Sequence, residues 1–107
     1  MEKVVSIGGK ETRLVANGAT PRLYRAFFKK DVFHDMQRAV SDDGEIIDAE
    51  VIENLAFIMA KQGGLEGYDI ETWLSEMPTP MAVVEAADQV FELWLGTNDT
   101  VANAKKN

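Results

Sequence analysis

One histidine and eighteen carboxylates are the side chains to which proton-transfer chemistry would first be assigned in this chain, and no cysteine is present to serve as a nucleophile or thiolate ligand. His34 falls on the polar side of its helical segment, without the partners that a hydrolytic triad or a histidine metal site needs. Glu50 and Glu53, and Glu85 and Asp88, stand three residues apart on helical segments. General acid–base work would require such a pair in an apolar pocket that separates the two pKa values. Both pairs fall on polar arcs, so solvated faces are the expectation. Gly8-Gly9-Lys10 lacks the G-x-x-x-x-G-K-[S/T] spacing of a phosphate loop, and no helix follows it. Ser41-Asp42-Asp43-Gly44-Glu45 has a faint likeness to a calcium loop. It lacks the alternating acids, the sixth-position glycine and the twelfth-position glutamate that coordination requires. These patterns predict a protein that is not an enzyme and carries no cofactor or metal.

A different chemistry, that of protein contact, is better represented. Trp73, Met77, Met81 and Trp94 belong to residue types enriched where proteins meet, and methionine adapts to varied partners. Trp94 is expected to point inward, whereas Trp73 and Met81, beside the stiff Pro78-Thr79-Pro80 connector, are expected to be partly exposed. Phe57 lies off the main apolar stripe of its helix, which is therefore either covered on two sides or exposes an aromatic ring. Arg22, Arg25 and Lys29 form a basic arc suited to an acidic helix, from within the domain or from another chain. The candidate partner-binding residues are thus Trp73, Met77, Met81, Phe57, Arg22, Arg25 and Lys29.

The elements that must position these groups can be read from periodicity and turn chemistry. Lys3 to Ile7 and Glu11 to Ala16 are β-rich and joined through Gly8-Gly9-Lys10, a hairpin signal with Val5, Ile7 and Leu14 inward. Thr20 is expected to cap a helix with Pro21 at its first position and Leu23, Tyr24, Phe27 and Phe28 on one arc. A break near Lys30-Asp31 restarts the helix so that Val32, Phe33, Met36, Ala39 and Val40 share a side. Ser41 to Gly44 is a polar turn. Asp48 to Gln62 is the clearest helix, striped by Val51, Ile52, Leu55, Ile58 and Met59 and stopped at Gly63-Gly64. Asp69 caps a short helix whose Ile70, Trp73, Leu74 and Met77 share a face. Met81 to Leu95 is the last helix, with Val83, Val84, Ala87, Val90, Phe91 and Trp94 inward and Gly96 at its end. The expected fold is α+β and mainly α: an N-terminal β-hairpin followed by four to five short helices. Residues 1–96 form one globular domain, and 97–107 are expected to be a disordered polar tail.

Charge narrows the partners. The 107 residues carry a formal net charge of −7, which disfavours nucleic acid. The distribution is uneven, at +4 from Met1 to Arg38 and −13 from Ala39 to Ala104. Such a dipolar surface favours oriented encounters with a protein partner or a second copy, though acids also simply solvate helix faces. No apolar run is long enough to cross a bilayer, no secretory leader is evident, and cysteine is absent, so a cytoplasmic location is expected.

The element order, the length, the acidity and several strings together carry a resemblance. The strings are Gly18-Ala19-Thr20-Pro21-Arg22-Leu23-Tyr24-Arg25-Ala26-Phe27-Phe28, Glu53-Asn54-Leu55-Ala56-Phe57-Ile58-Met59-Ala60-Lys61-Gln62, and Trp73-Leu74. From about Glu2 to Leu95 the chain resembles the tail assembly chaperones of long-tailed phages and prophages of Gram-positive bacteria. The resemblance implies a protein made in the bacterial host and absent from the finished virion. Such proteins coat the helical tape measure protein, keep it soluble, and leave as major tail protein polymerises around it. Some members are also made as a longer fusion by ribosomal frameshifting. Lys105-Lys106-Asn107 reads either as a solubilising polar end or as the product of an adenine run just before the stop codon, with an overlapping downstream frame. The competing classes are a structural virion component such as a head–tail connector, and an acidic inhibitor that mimics nucleic acid, motivated by the acids from Asp42 onward.

Overall fold

The computed structural model describes residues 1–96; the tail expected at 97–107 lies outside the described residues, as do Lys105, Lys106 and Asn107. Two antiparallel strands, β1 (Glu2–Ile7) and β2 (Lys10–Val15), open the chain. Ile7 pairs with Lys10, so the connection is the two residues Gly8 and Gly9, both with positive φ (62° and 83°), the geometry whose twist matches that of the strands. Val5, Ile7 and Leu14 are buried on the inner face, as their alternation predicts. A Cβ on Gly8 would lie 2.8 Å from the Met77 sulfur, because the turn seats against the Met77-Pro78 segment.

Among the described residues five α-helices follow: α1 (Thr20–Phe28), α2 (Val32–Ala39), α3 (Ala49–Gln62), α4 (Ile70–Ser75) and α5 (Ala87–Leu95). Helix α1 begins with Thr20 inside it rather than capping it, and the N-cap is Ala19. No side chain caps the helix; Asn17 makes a turn just before it, its Oδ1 accepting from the Ala19 N–H at 2.9 Å and from the Gln62 side-chain amide at 2.9 Å. The buried Thr20 hydroxyl instead donates to Gln62 Oε1 at 2.6 Å, tying the start of α1 to the end of α3. The break falls where Lys30-Asp31 predicts it. Lys29 closes α1 in the left-handed region (φ 58°), and the Asp31 carboxylate caps α2 by accepting from the N–H groups of Phe33 and His34. A β-bridge from Val40 to Ile46 closes the following turn.

Helix α3 is the centre of the domain. Val51, Ile52, Asn54, Leu55, Ala56, Phe57, Ile58, Met59 and Ala60 are all buried, because β2, α1, α2 and α5 pack around it. Of the two alternatives open for this helix, coverage on two sides is the one realised. Its C-terminus forms a Schellman arrangement in which the Leu65 N–H donates to Ala60 O and the Gly64 N–H to Lys61 O, with Gly64 at φ 114°. The final helix starts later than its sequence pattern suggests. Val84–Ala86 is a single 3-10 turn, and α-helical bonding begins only at Ala87, since the chain leaving the prolines lays Ala82, Val83 and Ala86 against the core first. Gly96 ends α5 in the left-handed region, φ 67°.

Glu53 is half-buried on α3, beside Glu50 and Asp48. Burial foremost, and then those two negative charges, push its carboxyl above the ordinary carboxylate range. A raised folded-state pKa means that the native protein holds this proton more tightly than the unfolded chain does. Glu53 therefore favours folding least once pH has risen through the carboxylate range and above its raised pKa. Glu53→Gln is expected to raise Tm at about pH 7 and to leave it unchanged at about pH 4, as thermal melts at the two pH values will show.

Candidate partner-binding groove

Helices α2 and α5 both pack on α3 and leave a groove of about 430 Å³ between them. Phe33, Met36, Gln37 and Val40 line it from the α2 side, and Phe91, Trp94 and Leu95 from α5. Among the described residues Gln37 is the one polar side chain lining it. The rings of Phe33 and Trp94 meet at a tilt of 51°, with centroids 5.2 Å apart. Phe33 is 60% exposed and Leu95 67% exposed, an unusual state for two large apolar side chains so close together.

Phe33 is exposed because the buried arc of α2 is Val32, Asp35 and Ala39. Val32 and Phe33 are adjacent, so about 100° separates them around the helix, and α3 covers only one of the two. The expectation that Phe33 would share the inward side with Val32 is thus corrected, and the place is taken by an acid. Asp35 Oδ2 accepts from the Tyr24 hydroxyl at 2.8 Å, and its Oδ1 accepts from the Arg38 guanidinium at 2.8 Å. Burial, foremost, and the hydrogen bond to the Asp35 carboxylate raise the Tyr24 pKa, against a smaller opposing effect of Asn54. This arrangement fixes the rotation of α2 and so aims Phe33 outward. Tyr24→Phe removes the phenol that satisfies a buried carboxylate and is expected to cost about 1–3 kcal/mol, read from urea unfolding.

The groove continues past Phe33 in two directions. One depression, about 490 Å³, runs between Met1, Pro21, Trp94 and Leu95. The other, about 470 Å³, is bounded by Arg22, Arg25, Asp31 and Phe33. Arg25 reaches Asp31 at 3.5 Å, an exposed ion pair of small worth. Among the described residues neither Arg22 nor Lys29 makes an ion pair.

The anticipated contact residues are divided by the fold. Arg22 and Arg25 are exposed on α1 and Lys29 at its C-cap, and the two arginines adjoin the groove. Met81 is exposed but is not among the residues lining it. Phe57 and Trp73 are 1% and 5% exposed and pack against each other at a tilt with centroids 5.6 Å apart, so as contact residues both are corrected to core. Met77 is partly buried with its sulfur against Gly8, a position occupied by internal packing. Trp94 is half-buried rather than interior. The groove residues missed as surface are Phe33, Trp94 and Leu95, and Phe27, placed on the apolar arc of α1, is also 50% exposed. The available signal was that Val32 and Phe33 are both large, which is more than one packed side of an eight-residue helix can cover.

For the remaining candidate chemistry, His34, Glu50, Glu85 and Asp88 are exposed. The Ser41 hydroxyl hydrogen-bonds Asp43 and accepts from the Glu45 N–H, so the turn consumes its own polar groups. Among the described residues no three His, Asp or Glu side chains converge as metal ligands, and no helix is long and apolar enough to cross a membrane. No protein-family model, curated protein or solved structure matches the chain.

Proposed function

We propose that this chain is a non-catalytic tail assembly chaperone of a long-tailed phage, which binds the tape measure protein, keeps it soluble in the bacterial cytoplasm and helps recruit major tail protein. The observation that carries the reading is the open apolar groove between α2 and α5 in a chain of net charge −7. An exposed apolar cleft rimmed by charge is suited to holding an aggregation-prone partner while the complex stays in solution. The resemblance of the Gly18–Phe28 and Glu53–Gln62 strings is what suggests the phage setting.

Co-expression with the tape measure and major tail proteins encoded beside this gene tests the reading. Retention and solubilisation of the tape measure protein, together with absence of this chain from purified virions by mass spectrometry, is the expected result. Rings of this chain, or its recovery with portal or capsid proteins, would replace the chaperone with a head–tail connector.

A further inference from the structure

We infer that the α2/α5 groove takes an amphipathic helix of a protein partner, with its apolar side on Phe33, Trp94 and Leu95 and an acidic end at Arg22 and Arg25; this rests on the chaperone reading and names the kind of segment that it binds. Three observations lead there. First, both walls are helices, so the groove offers no strand edge along which an extended segment could pair. An occupant must therefore satisfy its own backbone, and a helix does so. Second, α2 has eight residues and α5 nine, so each wall is about 12–14 Å long, the length of a little over two helical turns. Partner side chains spaced i, i+3 or i+4, and i+7 would span it.

Third, the surroundings are electrostatically one-sided. The apolar floor carries only Gln37, while the depression beyond Phe33 presents Arg22, without an ion pair among the described residues, and Arg25, held only by an exposed pair with Asp31. In a chain of net charge −7 this local positive strip selects an acidic segment and sets the direction in which it lies. A basic helix would find the apolar floor but meet like charge at that end.

A synthetic peptide of about four helical turns, with leucines along one face and glutamates at one end, tests this against a twin carrying lysines in place of the glutamates. Trp73 is buried, so quenching of tryptophan emission by acrylamide reports Trp94. The expected result is protection of Trp94 by the glutamate peptide, with the lysine twin bound about tenfold more weakly. Arg22→Glu should reverse that preference, and Phe33→Ala should abolish binding of both; each residue is exposed, so the fold survives either change. Failure of both peptides, equal binding of the two, or a free chain whose Trp94 is already protected in a concentration-dependent dimer would overturn the inference. Tape measure retention unchanged by Phe33→Ala and Arg22→Glu would sink the groove while leaving the chaperone reading intact. Peptide binding without tape measure retention would do the reverse.

Discussion

Gly63→Ala is expected to lower the stability of the domain by roughly 3 kcal/mol or more, a drop in Tm on the order of 15 °C. Gly63 has an ordinary helical φ of −80°, so backbone strain is not the reason. A Cβ at this position would lie 2.0 Å from the Arg13 carbonyl oxygen and 2.8 Å from its carbon. Both are main-chain atoms of β2 and cannot swing aside as a side chain would. Either the strand or the end of α3 must retreat, and the interface between them includes Leu14, Leu55 and Met59 in one core. Gly64 makes the contrast. Its φ is 114° and nothing lies within 4 Å of an added Cβ, so Gly64→Ala meets only left-handed strain, about 1–2 kcal/mol. Differential scanning calorimetry of the two variants separates the steric role from the conformational one. Equal Tm losses would show that the β2–α3 contact yields easily.

The same pair illustrates what the sequence discloses and what it withholds. Gly63-Gly64 announces a helix end, and the end is there, because a C-terminal cap is a local event decided within a few residues. That the first glycine is needed for a strand fifty residues earlier is a fact of tertiary packing, absent from any local pattern. The hairpin, the break at Asp31, the cap at Asp69 and the stop at Gly96 were legible for the same local reason. The start of the last helix was not, since Met81-Ala82-Val83 has helical composition and is held in a turn by the prolines before it and the core beside it. Helix faces were legible only where one neighbour covers one arc. On α2 the periodic pattern placed Phe33 inward, and Asp35, a carboxylate, took the core position because Tyr24 and Arg38 satisfy it there. A buried acid with two partners cannot be anticipated from hydropathy, and the groove follows from that exchange.

Phe57→Ala is expected to cost about 3–5 kcal/mol and to leave partner binding, per folded molecule, unchanged. The Phe57 ring touches two other helices and one side chain of its own helix. It meets Trp73 of α4 at 5.6 Å, Phe27 of α1 edge-on at 6.1 Å, and the Lys61 ammonium 5.4 Å above its centre. Truncation removes the apolar surface of the ring and leaves a cavity that neither α1 nor α4 can close without losing its own seat on α3. Phe57→Leu keeps most of the volume and should cost roughly 1–2 kcal/mol, so the ratio of the two losses reports packing and not charge. The emission of Trp73 supplies a second readout, shifting red in the alanine variant as water gains access. Phe57 was a candidate contact residue on its sequence position alone, and the opposite pattern would return it to that role: an unchanged Tm with loss of partner retention. Burial to 1% exposure decides for the core, because a side chain that no solvent reaches can act on a partner only by holding together the helices that do.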